Sequence, residues 1–158
     1  MFTGDRSGDW LFRAMHRAGL ANRAESVSAD DGLELSDAWV TSAVKCAPPD
    51  NKPTPGERDA CAGHLHRELT ALEEVRVIVC LGTFGFDAAL RHFAVRPKPK
   101  FGHGVEVELD DGPTLLGCYH VSQQNTFTGR LTESMLDDVF AQAFAQLAET
   151  ATDGAPGP

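Results

Sequence analysis

The chain has 158 residues, 42% of them hydrophobic, which suits one domain with a real core and leaves little for a second. A net charge of −9 argues against broad, non-specific coating of nucleic acid, which runs on many Lys and Arg contacts to phosphate. No apolar run is long enough to span a bilayer, no signal peptide is visible and the four cysteines form no tight pair, so a cytoplasmic protein without membrane anchor or disulfide scaffold is expected.

In chain order, helical spacing of Trp10, Leu11, Ala14, Met15 and Leu20 predicts a helix over residues 9–20, ending near Gly19. The acidic, Ser-rich stretch 24–35 reads as a loop and 38–44 as a strand. The Pro-rich stretch 47–56 reads as unable to hold a regular element. A helix is expected over 57–73, with Cys61, Leu65, Leu69 and Leu72 on one stripe. Residues 75–81 are almost continuously apolar, as buried parallel strands are, and Gly82 closes them. A helix over 84–93, an extended basic linker at 96–99 and a short edge strand over 104–109 follow. Residues 114–119 read as a second core strand. An amphipathic helix over 131–147 should turn Met135, Val139, Phe140, Phe144 and Leu147 inward. Strands alternating with helices predict an α/β fold, a three-layer αβα sandwich with a mostly parallel central sheet, forming one domain over 1–149 before a disordered tail at 150–158.

Basic residues fall in the expected loops, at Arg6, Lys45, Lys52, Arg96, Lys98, Lys100 and Arg130, so a local basic face is compatible with an acidic total. His120 follows the second core strand directly and precedes a run of small polar residues. That order places a proton donor at the carboxyl end of a sheet strand, where open α/β sheets bind ligands. The competing reading is a histidine that merely caps a strand. Cys46 and Cys61, with fourteen residues between them, are either two buried free thiols or two ligands of an iron–sulfur cluster, which takes four. Cys80 and Cys118 lie mid-strand, where packing is the simpler role. Asn51 offers both a donor and an acceptor, as a pyrimidine edge requires, but is equally at home in a Pro-rich turn. His64 and His66, two apart on a helix, do not share a face and receive no role; nor does His103.

Several segments, in order, resemble family 5 (type B) uracil-DNA glycosylases. Phe2-Thr3-Gly4-Asp5 resembles that family's Phe-Thr-Gly-Asp motif. Cys46-Ala47-Pro48-Pro49-Asp50-Asn51-Lys52-Pro53-Thr54-Pro55, continuing to Glu57 and Cys61, resembles its cluster-binding segment. Leu81-Gly82 resembles a core strand end, Gly102-His103-Gly104 a family loop, and His120 through Leu131 the His-x-Ser loop and its continuation. The resemblance implies a DNA repair enzyme that flips uracil, or another deaminated base such as hypoxanthine, from the helix and hydrolyses its N-glycosidic bond. It implies His120, Asp5 and Asn51 as the catalytic set and Phe2 stacked on the flipped base. Ser122 would contact a phosphate beside the lesion, Gln123, Gln124 and Asn125 would fill the vacated gap, and Arg130 would approach the backbone. Cys46 and Cys61 would be the third and fourth ligands of a structural 4Fe–4S cluster. DNA is the implied partner, and a monomer is expected.

Met1 falls inside the motif, and the resemblance implies an upstream segment with the first two cluster cysteines, a first strand and a Gly-Leu-Ala-Pro-like loop. The expected sandwich therefore has its N-terminal strand missing, and the isolated chain is expected to be poorly stable or inactive. A second reading keeps the fold and drops the chemistry, leaving a remnant that binds nucleic acid or a partner protein; the intact Asp5, Asn51 and His120 set argues against it. A third, a small zinc protein on four cysteines, fits poorly, because zinc ribbons bring their ligands as close pairs.

Overall fold

The strand that ends two residues before His120 is the middle one of a three-stranded sheet. The computed structural model describes residues 3–46 and 53–153. It contains, in order, α1 (Arg6–Arg17), α2 (Pro55–Ala71), β1 (Val77–Leu81), α3 (Gly82–His92), β2 (Glu106–Val107), β3 (Thr114–Cys118), α4 (Gln123–Phe127) and α5 (Glu133–Asp153). The sheet order is β1–β3–β2. β1 runs parallel to β3, with Val77 opposite Thr114 and Leu81 opposite Cys118. The short edge β2 runs antiparallel to β3, so the sheet is mixed.

Alternate side chains of the strands enter two cores. Leu116 and Cys118, with Val77, Val79 and Leu81, pack against Leu11, Phe12 and Met15 of α1 and Leu136, Val139 and Phe140 of α5. Leu115, with Ile78 and Cys80, packs against Phe86, Ala89 and Leu90 of α3. Helices therefore cover both faces, giving the three layers expected. Arg17 ties the two helices of one layer together at the surface, 2.7 Å from Asp137 and 3.6 Å from Glu133.

Several boundaries differ from the sequence expectation. Residues 38–44 form no strand. Ala38 and Val40 lean on the α1/α5 core while Trp39 is 65% exposed, so the alternation records two faces without the neighbouring strand that a ladder requires. α2 starts inside the stretch read as irregular. Thr54 accepts from the Glu57 N–H, the Glu57 carboxylate accepts from the Thr54 N–H, and Pro55 takes the first turn, where its missing N–H costs nothing. The stripe expected on α2 is only partly covered, because no residue of that helix is fully buried. On α5 the inward stripe is Leu136, Val139, Phe140 and Ala143. Phe144 is half exposed at the rim of a groove between α1 and α5, not inward as expected. α5 also runs to Asp153, past residue 150, where a tail was expected to begin. The five-residue α4 was not foreseen.

Gly117 sets the spacing of the sheet on its β2 side. A Cβ there would run into the Gly102 carbonyl and stand 2.6 Å from Val105 Cγ1. Gly117→Ala should therefore destabilise the domain by about 2 kcal/mol in denaturant melts, as overpacking does. On the exposed surface of α2, Gly63 faces only the flexible end of Arg67, 3.8 Å away, and Gly63→Ala should be neutral or stabilising there.

Candidate active site

The parallel pair β1–β3 delivers two chain turns to the same end of the sheet. β1 stops at Leu81 and turns at Gly82, whose φ is +81°. β3 stops at Cys118, and Tyr119 and His120 follow. A Cβ on Gly82 would sit 3.2 Å from the Cβ of His120 and 3.6 Å from its Cδ2, so the bare glycine is what lets the imidazole lie over the end of β1. Val121, 1% exposed, plugs into the core next to it and fixes the direction of His120.

The loop beyond is braced from inside. Asn125 Nδ2 donates to the His120 carbonyl at 2.9 Å, and the Asn125 carbonyl accepts from the Leu131 N–H at 3.1 Å. The Ser122 carbonyl accepts from the N–H groups of Asn125 and Thr126, closing α4. Gln123 and Gln124 are exposed on that short helix, and Ser122 is half-buried at its start. The Arg130 guanidinium lies over the Tyr119 ring, 4.8 Å from its centroid.

Asp5 arrives from a different element. Its Oδ1 accepts from the Gly8 N–H at 2.7 Å, capping α1. The approach of this segment is set by the acidic loop that the sequence left featureless. The Asp31 carboxylate accepts from the N–H groups of Leu33, Ser28 and Val27, which hold its pKa down to about 2. The loop so formed presents the Ser26 carbonyl to the Gly4 N–H at 2.7 Å, with Gly4 in the left-handed region. Arg6, one residue on, lies 4.7 Å from the Phe127 ring centroid and joins the start of α1 to α4.

His120 lies at the surface, yet its neighbours crowd it enough that lost hydration lowers its pKa below the ordinary histidine value. The negative charge of Asp5 opposes that shift, so Asp5 and His120 act on each other electrostatically. The balance leaves a neutral imidazole at neutral pH, able to donate one hydrogen bond.

Of the residues singled out in the sequence, Asp5 lies within electrostatic reach of His120, Asn125 bonds the His120 carbonyl, Ser122 follows His120 two residues on, and Arg130 lies over Tyr119. Phe2 and Asn51 lie outside the described residues. Two contributors were missed. Gly82 had been read only as a strand stop. His103 accepts the Tyr119 N–H on Nδ1 at 3.1 Å, with the two rings 5.0 Å apart, so a neutral His103 carries its proton on Nε2. The Gly-His-Gly spacing was the available signal, since Gly104 N–H bonds the Gly117 carbonyl and anchors that loop on β3.

The cysteines fall into two kinds. Cys80 and Cys118 are buried in the two cores, and burial pushes their thiols up to about 12. Cys46 is exposed and Cys61 half-buried. Lys45, beside Cys46, bonds Glu68 on α2 at 2.6 Å, and Cys61 lies two turns earlier on the same face of that helix. Those two thiols are half the donor set of a four-thiolate cluster, so the chain's described residues do not by themselves complete one. No group of three or more His, Cys, Asp or Glu among the described residues is placed to hold a metal ion.

Residues 1–147 match the family model of the uracil DNA glycosylase superfamily, and the chain belongs to that superfamily. It is similar to the type-5 uracil-DNA glycosylase of Mycobacterium tuberculosis, 55% identical over 146 residues that cover 90% of this chain and 54% of that protein. It is also similar to the type-5 uracil-DNA glycosylases of Thermus thermophilus, at 49% identity over 90% of this chain and 65% of the relative, and Pyrobaculum aerophilum, at 43% over 92% and 63%. The chain thus spans about half the length of the mycobacterial relative and under two thirds of the other two.

In an NMR titration, His120 should protonate below the ordinary histidine value of about 6.5. Asp5→Asn keeps a capping side chain and removes the charge that supports the imidazolium. That variant should therefore lower the His120 pKa further, and an unchanged or higher value would show that the two groups do not interact.

Proposed function

We propose that this chain carries the leaving-group side of an active site that hydrolyses the N-glycosidic bond of uracil, and of other deaminated bases, in DNA. The observation that carries the reading is the neutral His120 held at the carboxyl end of the β1–β3 pair within electrostatic reach of Asp5. The names of the relatives support the same reaction.

The base must first leave the stack, because its glycosidic bond is inaccessible within the duplex. As the bond between the sugar C1′ and the base nitrogen breaks, the electron pair goes to the base and the sugar becomes cationic. A neutral His120 donates a hydrogen bond to the uracil oxygen on which the negative charge gathers, without needing to transfer a proton. The Asp5 carboxylate favours the cationic sugar and orients the water whose oxygen bonds to C1′. The proton that water loses passes to solvent, from which the departed base takes one up.

Phe2 stacks on the flipped base in this scheme, and Asn51 pairs with its polar edge. Ser122 and Arg130 meet the backbone phosphates, and the exposed Gln123 and Gln124 lie where the vacated gap would be. Asn125 combines contact with that gap and the bracing of His120. Cys46 and Cys61 would hold a 4Fe–4S cluster as two of its four ligands, and the cluster would serve structure only, with no chemical step passing through it.

In a fusion of this chain with the part of its relatives' length that it does not span, single-turnover release of uracil from a uracil-containing duplex should fall by about a hundredfold or more in His120→Ala, the usual loss on removing one such donor. Equal release by that active fusion with and without the substitution would remove His120 from the mechanism. In the same fusion, if it supplies two further thiolate ligands, anaerobically purified protein should contain iron and absorb visible light, and Cys46→Ser should lose both. Iron-free protein under those conditions would defeat the cluster assignment.

A further inference from the structure

Helix α2 has no fully buried residue and is tied to its surroundings by polar contacts. Lys45 and Thr41 reach Glu68, Arg91 approaches Asp59 at 3.6 Å, and His66 meets His92 of α3. The last contact has a geometry of its own. The two imidazoles present the same ring atom to each other, Nδ1 to Nδ1, at 3.2 Å. Their centroids are 5.0 Å apart and their planes are inclined by 53°.

Two rings set end to end on a straight hydrogen bond of that length would hold their centroids about 5.5 Å apart. Imidazole nitrogens bind zinc at about 2.0–2.1 Å, and two such bonds near the tetrahedral angle place the nitrogens about 3.3 Å and the ring centroids about 5 Å apart. The observed pair of distances is the second of these. We propose that His66 and His92 form a two-histidine chelate for a divalent transition-metal ion of the Zn²⁺, Ni²⁺ or Cu²⁺ class, bridging α2 and α3. Water completes the coordination, since the described residues offer no three-ligand group. Imidazole donors select these ions over Mg²⁺ and Ca²⁺. His64 is not a third ligand: its Nδ1 is bonded to Arg67 at 2.8 Å, and it lies two residues from His66 on the helix. The site needs neither the glycosylase chemistry nor the Cys46 and Cys61 pair. Its effect would be to staple a helix without a fully buried residue to the sheet through α3.

Calorimetric titration of the full chain with NiCl₂ should show one binding equivalent that is absent from His66→Ala and from His92→Ala and retained in His64→Ala. Free Ni²⁺ at ten times its dissociation constant should raise the melting temperature by about 4 °C, again in the unaltered chain and His64→Ala only. MgCl₂ should do neither. Both histidine variants keep Cys46 and Cys61, so an equivalent that survives in them belongs to the thiols or elsewhere. If no equivalent is lost in His92→Ala, or if none binds to the unaltered chain, the proposal is overturned. The titration is made on folded protein at room temperature, so a variant with a lower ion-free melting point still decides the question.

Discussion

The parallel pairing of β1 with β3 is the constraint from which the candidate site follows. β3 is the middle strand, paired on both edges, with Leu115, Leu116 and Cys118 at 0% exposure. A strand held on both edges and packed on both faces has no low-cost way to slide, because a one-residue slip would exchange its two faces. The register that sets Leu81 opposite Cys118 therefore also sets the turn at Gly82 beneath the His120 ring. The position of a surface imidazole is decided by apolar packing several residues away.

Asp5 reaches the same place by an independent route. Asp31 folds the acidic loop, Ser26 of that loop holds Gly4, and Asp5 then begins α1. Its two roles agree physically. A carboxylate suits a helix N-terminus, where the N–H groups favour negative charge, and the helix in turn fixes where that charge is aimed. Hydration lost by His120 and charge supplied by Asp5 pull in opposite directions, and the first prevails. The outcome is an imidazole that can donate a hydrogen bond without carrying a positive charge.

Much of the architecture was legible because the core strands speak plainly. Residues 75–81, apart from Arg76, and 115–119 are apolar, as strands covered on both faces are, although β1 lies at the sheet edge with only Cys80 fully buried. α1 and α5 were found from their spacing, and His120 was singled out as a candidate from its place after a strand. What was misread shares one cause. Residues 38–44 alternate as strands do, but alternation reports which side chains are covered, not whether a backbone partner lies alongside. Phe144 was placed inward for its hydrophobicity, although α5 turns the small Ala143 to the core and leaves Phe144 on the rim. The start of α2 was missed because prolines were counted as breakers, while Thr54, Pro55 and Glu57 together form a helix start. The tie from His103 to Tyr119 joins residues sixteen apart, so the Gly-His-Gly spacing could mark the loop but not the partner it reaches.

The glycine at 117 has an evolutionary corollary. It lies in a contact so close that the Gly102 carbonyl and the Val105 side chain occupy the room a larger residue would need. Descendants of this domain that acquire a side chain at that position must at the same time rebuild the 101–105 loop. Rebuilding it displaces His103 and, through His103, the backbone of Tyr119 immediately before His120. Drift at the heart of the sheet and drift beside His120 are thus a single heritable event, and lineages should differ at both places or at neither.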